Sequence, residues 1–292
     1  MPGPGGPRLQ TRTTPGADPP AHEMKIHDAG SGPPLIIVPG IQGRWEWMRP
    51  GVDALAQHYR VITFSLADEP SSDGHFEESR GFSSYVDQVE NVMATLGLPD
   101  AIVCGMSYGG LIAATFAARH SQKVSALVLL SALPPTWRAN RRARFYLRAP
   151  RLLFPVFVLS SLRLGREMVA AYDGLVAGVF SATRHIRNVV THPASPARMA
   201  RRVQLLDGLD LTSEMERLTL PTLVVTGEDH LDYAVPPALT REYLRLWPHA
   251  RGEVLSRTGH LGVITRPEAL RQLLGGFLAD VPALKRDRRM IG

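Results

Sequence analysis

Cysteine is almost absent from this chain, which has a single one, Cys104, among 292 residues. One cysteine excludes an intrachain disulfide and is compatible with a reducing compartment. Because Cys104 ends an apolar run, we expect a buried and unreactive thiol there. Residues 1–22 also lack the apolar segment of a secretory signal and are rich in glycine, proline and threonine, so we expect a disordered leader.

Long apolar runs and lysine are scarce as well. No run of about 18 uncharged apolar residues occurs, so we expect no membrane-spanning helix and a soluble, cytoplasmic protein. The formal net charge is +6, yet Lys25, Lys123 and Lys285 are the only lysines. A basic balance made almost wholly of arginine indicates a compositional bias more than a phosphate-contacting surface, so we expect no nucleic-acid partner.

A nucleophile-elbow pattern stands near the middle of the chain. An apolar run at 101–104 resembles a buried strand, Gly105-x-Ser107-x-Gly109 follows it, and a run of small residues typical of a helix begins at Tyr108. A strand that reverses into a helix over one residue strains that residue, and the positions two before and two after it pack almost in contact, so only glycine fits. The pattern therefore predicts that Ser107 points its hydroxyl into the crevice at the carboxyl ends of the strands.

Short apolar runs alternate with helical patterns elsewhere, which favours an α/β fold with a doubly wound, mainly parallel sheet. The expected strands cover residues 24–27, 34–38, 60–64, 101–104, 125–130, 221–226 and 251–255. The first two flank a turn-rich segment and are expected to pair as a hairpin. Between Pro134 and Leu206 no strand pattern occurs, so we expect one helical cap inserted over residues 134–206. Helices are also expected over residues 82–96 and 266–278.

A serine nucleophile needs a general base and an acid that orients the base, and residues of both kinds follow the last strands. Of the ten histidines, only His260 lies just past the last strand. The acid is expected after the strand at 221–226, where Glu228, Asp229 and Asp232 are the candidates. A loop in either place can bring its side chain over the crevice.

An oxyanion formed during acyl transfer needs two hydrogen-bond donors. The elbow offers the backbone N–H of Tyr108, at the start of a helix whose dipole favours negative charge. The second donor is expected in the glycine loop Pro39–Gly43, most simply the N–H of Ile41. A simple tight turn is the alternative interpretation of that loop.

Together the glycine loop, the elbow, the acid loop and the Gly259-His260 motif resemble the α/β-hydrolase fold superfamily over about residues 25–278. The resemblance implies a hydrolase core at residues 23–133 and 207–282, the cap at 134–206, and leaves a basic tail at 283–292. It implies neither a cofactor nor a metal. The roles that it implies are Ser107 as nucleophile, His260 as base, and Ile41 and Tyr108 as oxyanion donors.

Two departures from the family pattern concern the same site. The acid loop has two extra residues between its glycine and Val235-Pro236. The Asp-x-x-Val-Pro spacing of relatives favours Asp232 over Asp229 as the acid. The reason is that a loop absorbs extra residues more easily before the acid than after it. The usual His-Gly of the first loop is Pro39-Gly40 here, which keeps a backbone donor and removes a supporting side chain.

The expected activity is that of a serine hydrolase that cleaves a small or medium ester through a Ser-His-Asp triad and an acyl-enzyme. The alternatives are acyl transfer, amide or carbon–carbon bond hydrolysis with the same triad, and a ligand-binding protein without turnover. The expected partner is a small molecule with an apolar acyl or ester group. The sequence does not indicate an oligomeric state.

The expected cap is rich in arginine and in apolar residues. The arginines are interpreted as a solvated face, with attraction for an anion as the alternative. The apolar residues are expected either to roof an acyl pocket or to form the buried underside of the cap. They are Phe145, Tyr146, Leu152, Leu153, Phe154, Phe157 and Leu159.

Overall fold

A seven-stranded sheet forms the centre of the molecule. The computed structural model describes residues 24–156, 164–172, 175–282 and 284. The strands are β1 (Ile26–Ala29), β2 (Pro34–Val38), β3 (Arg60–Phe64), β4 (Ala101–Met106), β5 (Val124–Leu130), β6 (Thr222–Thr226) and β7 (Arg251–Val254). Their order is β1-β3-β2-β4-β5-β6-β7, and every neighbouring pair is parallel except β1 with β3.

Helices connect the strands and cover both faces of the sheet. In chain order they are α1 (Arg49–Leu55), α2 (Ser83–Thr95), α3 (Tyr108–Arg119), α4 (Arg141–Arg148), α5 (Gly165–Ala171), α6 (Leu175–Thr191), α7 (Pro196–Gln204), α8 (Thr212–Met215), α9 (Pro237–Thr240), α10 (Glu242–Leu246), α11 (Gly262–Thr265) and α12 (Pro267–Leu278). The expected helices at residues 82–96 and 266–278 are confirmed as α2 and α12 with slightly different ends.

The residues of β2 show why the sheet is covered twice. Ile36 and Val38 pack in one apolar cluster with residues of α2 and α3, whereas Leu35 and Ile37 pack in a second cluster with residues of α1 and α12. All four side chains are fully buried, and each buried aliphatic side chain contributes about 1.5–3 kcal/mol. A strand buried on both faces is apolar throughout and not at every second residue. The expected doubly wound, mainly parallel sheet is confirmed.

The expected hairpin between the first two strands is wrong. β1 pairs antiparallel with β3, with Ile26 opposite Phe64, and β3 lies between β1 and β2. The reason is burial: β2 is apolar and takes a central position between β3 and β4, while the half-exposed β1 takes the edge of the sheet. The segment that joins them turns at Gly30 and Gly32, which both have positive φ.

Helices α4 to α7 lie between β5 and β6, where the sequence predicts the cap. We propose residues 134–206 as this cap, and the name is used in that sense below. The expected leader at 1–22 and most of the expected tail at 283–292 lie outside the described residues. Among the helices that the structure describes, none is long and apolar enough to cross a membrane.

Candidate active site

Ser107 lies at the turn between β4 and α3 with a backbone φ of +54° and ψ of −119°. A non-glycine residue in this region costs about 1–3 kcal/mol and persists only where its surroundings hold it. The N–H of Ser107 donates to Leu130 O at 2.9 Å. A Cβ on Gly105 would overlap the backbone of Gly109, and one on Gly109 would overlap the carbonyls of Val38 and Pro39. The two glycines therefore permit the strained turn, as the spacing predicts.

The glycine loop Pro39–Gly43 lies beside this turn because β2 and β4 are parallel neighbours, with Val38 opposite Gly105. Contact of Gly109 with Val38 and Pro39 fixes the separation of the two segments. Tyr108 is the first residue of α3, so its N–H has no acceptor within the helix. The structure thus places the loop that contains Ile41 next to the amide of Tyr108.

The loops after β6 and β7 meet through two glycines. A Cβ on Gly227 would overlap Gly259 and Thr258, and a Cβ on Gly259 would overlap the backbone of Leu231. The N–H of Glu228 donates to Thr258 O at 2.8 Å. This backbone contact joins the acid loop to the loop that carries the candidate base.

Asp232 contacts His260, and Asp229 does not. Oδ2 of Asp232 lies 3.4 Å from Nδ1 of His260, while Oδ1 accepts from the N–H groups of Ala234 at 3.0 Å and Val235 at 2.8 Å. Asp232 is 4% exposed. The Asp229 side chain is 65% exposed and pairs with Arg241 at the surface at 3.0 Å. Of the two aspartates, Asp232 is therefore the one whose carboxylate contacts the imidazole.

Opposing effects act on the pKa of His260. Burial lowers this pKa, but the charge and hydrogen bond of Asp232 and the charge of Glu167 outweigh burial, so the pKa lies above its usual value. His260 lines a small cavity with Met106, the residue before Ser107. Within the described part of the chain no hydrogen bond joins Ser107 Oγ to His260, and such bonds are often long before substrate binds. The same residues contain no group of three or more His, Cys, Asp or Glu side chains that could hold a metal ion.

Two charged cap residues bond the loops of this site, and local sequence patterns predict neither contact. Arg202 of α7 is fully buried and donates to Ile41 O at 2.7 Å, to Asp68 and to Glu69. The interpretation of the cap arginines as a solvated face is wrong for Arg202. Glu167 of α5 is also fully buried and bonds the loop around His260. The only signal in the sequence was that Glu167 is one of two acids, with Asp173, in the arginine-rich residues 134–206.

Some of the apolar cap residues that the sequence singles out are more exposed than a buried underside would be. Phe145 is 49% and Leu152 is 78% exposed, whereas Phe154 is partly buried. Tyr146 and Leu153 are also partly buried, whereas Phe157 and Leu159 lie outside the described residues. Of these apolar residues, Phe154 is therefore the better candidate for a pocket wall than Leu152.

Comparison with known proteins gives the family. A family model described as alpha/beta hydrolase fold matches residues 33–267. RutD of Serratia proteamaculans (strain 568), whose name gives carbamate hydrolysis as the expected activity, is 23% identical over 256 residues, which cover 88% of this chain and 94% of that protein. The pimeloyl-[acyl-carrier protein] methyl ester esterase of Vibrio cholerae serotype O1 is 26% identical over 261 residues, which cover 85% of this chain and 95% of that protein.

Solved structures agree on the fold. The enol-lactonase from Burkholderia xenovorans LB400 superposes with a TM-score of 0.69 and 20% identity, covering 88% of this chain and 96% of that chain. At this identity the superposition supports the fold alone, and it does not indicate that this chain has the same substrate as the similar protein.

Proposed function

The chain belongs to the α/β-hydrolase fold family of enzymes, and on that premise we propose that it is a serine hydrolase that cleaves a small or medium carboxylic ester. The observation that carries the proposal is the contact of buried Asp232 with His260. The two loops that carry these residues are joined at the backbone, and His260 lines a small cavity with Met106, the residue before the strained turn of Ser107. Ester cleavage is favoured as the reaction because the similar proteins include a methyl ester esterase and an enol-lactonase.

The proposed reaction begins with attack of Ser107 Oγ on the carbonyl carbon of the ester. Asp232 accepts from Nδ1–H of His260, which leaves Nε2 free to take the proton of the serine hydroxyl. The negative charge on the former carbonyl oxygen is stabilised by the N–H groups of Ile41 and Tyr108. The tetrahedral intermediate expels the alcohol, which receives the proton from His260, and an acyl-enzyme remains. Water deprotonated by His260 then releases the acid and restores the hydroxyl of Ser107.

A second candidate is hydrolysis of a carbamate with the same residues, which the similarity to RutD favours. A substrate panel of esters, lactones, carbamates and amides compares the two by kcat/KM. The same panel with added alcohols detects acyl transfer, because the acyl-enzyme then gives a new ester as well as free acid.

The test of the proposal is covalent labelling with a fluorophosphonate probe. We expect Ser107→Ala to lose labelling and to lose about 10⁴- to 10⁶-fold in turnover of a short-chain chromogenic ester. Ser131→Ala is the matched control, because Ser131 is also buried, also has positive φ, and lines the cavity next to His260. That variant should keep labelling and activity. Labelling that persists in Ser107→Ala would overturn the assignment of the nucleophile, and its loss in Ser131→Ala would then identify Ser131 as the labelled residue.

A further inference from the structure

We propose that Glu167, a residue of the cap, is a positioning residue for His260 and so couples the cap to the base. This inference rests on the proposed function, because it concerns the same base. It assigns a second carboxylate to the histidine, one that enters from the inserted segment and not from the sheet.

The hydrogen bonds of Glu167 fall on both sides of His260 in the chain. Oε1 of Glu167 accepts from the hydroxyl of Thr258 at 2.7 Å and from the N–H of Leu261 at 2.5 Å. Thr258 is itself fully buried. One carboxylate oxygen thus holds the backbone immediately after the histidine and a side chain two residues before it.

The rest of α5 is fastened to the same segment of the core. The carbonyl of Ala170 accepts from Nε of Arg257 at 3.1 Å, and the carbonyl of Ala171 accepts from Nη1 of Arg266 at 3.2 Å. Arginine side chains at the C-terminal end of a helix satisfy its last carbonyls and interact favourably with its dipole. These contacts hold α5 against residues 257–266, so the Glu167 carboxylate has a fixed place relative to His260.

The second oxygen of Glu167 adds a charge to this arrangement. Oε2 is buried and makes no hydrogen bond to any described residue. Burial outweighs the hydroxyl of Thr258, the N–H groups of Gly259 and Leu261 and the positive charge of His260, so the pKa of Glu167 lies above its usual value. A buried carboxylate needs an opposite charge, and the imidazolium that His260 becomes during the reaction supplies one.

The charged groups around His260 are distributed so that two carboxylates act on it. Asp232 contacts its imidazole from the loop after β6, and Glu167 of α5 bonds the residues on either side of it in the chain. Glu228 of the same loop accepts from the N–H of Arg257 at 2.7 Å, while the bonds described for the side chains of Arg257 and Arg266 go to carbonyls of α5. Removing the charge of Glu167 should therefore make His260⁺ less stable, which lowers the pKa of His260.

Two variants separate the holding role from the charge. Glu167→Gln keeps an oxygen that can accept from Thr258 and Leu261, so kcat at high pH should stay within about threefold, while the acidic limb of the pH profile should move down by about 0.5–1 unit. Glu167→Ala removes the acceptor too, and kcat at every pH should fall about 10- to 100-fold. Glu228→Gln is the matched control: it removes a carboxylate charge from the same pair of loops and should leave the profile unchanged.

The pKa of His260 can also be measured without turnover. Its imidazole carbon-bound protons are followed by NMR against pH in the full chain, and their signal is assigned by its loss in His260→Gln. The pKa of His260 in the wild-type protein should be higher than in Glu167→Gln and equal to that in Glu228→Gln. A melting temperature for each variant detects a failure to fold. If Glu167→Gln does not fold, Thr258→Val replaces it, because it removes one of the two donors to Glu167. Its loss of kcat should be smaller than that of Glu167→Ala.

An unchanged His260 pKa in Glu167→Gln, with kcat of the folded Glu167→Ala enzyme within twofold of wild type, would overturn the inference. The proposed function fails in a different way, by absence of hydrolysis or labelling in the wild-type chain. In that event the NMR titration still decides whether Glu167 acts on His260.

Discussion

Asp232 and Asp229 are three positions apart in one loop, yet their surroundings differ completely. Asp232 is buried, accepts two backbone N–H groups through Oδ1 and presents Oδ2 to His260. Asp229 is at the surface beside Arg241. A carboxylate oriented by backbone donors is held in one geometry, which is what the orientation of an imidazole requires.

We predict that Asp232→Asn lowers kcat about 10⁴-fold, because an amide at this place favours the wrong tautomer of the histidine. The Asp229→Asn variant is its natural control, since it loses the same charge three residues away, and should change kcat less than about tenfold. Steady-state assays on a chromogenic ester measure both. The interpretation of Asp232 as the orienting acid would be wrong if the Asp232→Asn enzyme kept near-normal activity.

At this scale the sequence predicts some residues well and others not at all. The spacing of Gly105, Ser107 and Gly109 follows from local sterics, so the strained turn can be recognised without a structure. The contact between Glu167 and the His260 loop joins residues more than ninety positions apart, and no local pattern encodes it. The choice between Asp229 and Asp232 lies between these cases, because loop length alone does not determine which side chain turns inward.

Secondary-structure elements also differ in how well their own residues predict their place in the fold. The apolar runs of β2, β4 and β5 predict buried parallel strands, because burial on both faces requires apolar residues throughout. The partner of β1 is not determined by its own residues: it depends on β3, thirty-odd positions later, taking the place beside β2. Proximity in the chain favours a hairpin of β1 and β2. The hairpin does not form because the apolar β2 is buried between β3 and β4.

Helix α7 illustrates how neighbouring residues of one element take opposite environments. Arg202 is fully buried between Asp68 and Glu69, whose side chains are 6% and 1% exposed. The next residue towards the N-terminus, Arg201, pairs with Glu78 at the surface, where the two side chains are 38% and 69% exposed. The amphipathic spacing of a helix turns adjacent residues to different faces.

We predict that Arg202→Met lowers the free energy of unfolding by about 3–5 kcal/mol, because it leaves two buried carboxylates without their partner. Arg201→Met removes the same group from the adjacent position and should cost less than about 1 kcal/mol. Urea unfolding followed by tryptophan fluorescence measures both. Equal losses in the two variants would contradict a special role for the buried cluster.

Over the whole molecule, the proposed catalytic residues and the cap belong to different parts of the chain. Ser107, Asp232 and His260 all follow strands of the sheet, at its carboxyl edge. The cap contributes buried charges that hold the loops of that edge, through Arg202 at the Ile41 loop and Glu167 at the His260 loop. Such a division lets the cap change with the substrate while the sheet keeps the reacting groups in place.

The apolar side chains of the cap are the part of the molecule that we expect to set the preferred acyl length. Phe154 is partly buried, whereas Leu152, two residues earlier, is 78% exposed. We predict that Phe154→Ser changes the ratio of kcat/KM for octanoyl over acetyl esters by about tenfold or more, since one methylene in an apolar pocket contributes about 1–3 kcal/mol to discrimination. Leu152→Ser removes a comparable apolar group from the surface and should change that ratio less than twofold. If Phe154→Ser lowers kcat/KM equally for all acyl lengths while its melting temperature stays within a few degrees of wild type, Phe154 is a structural residue of the cap and the pocket wall lies elsewhere.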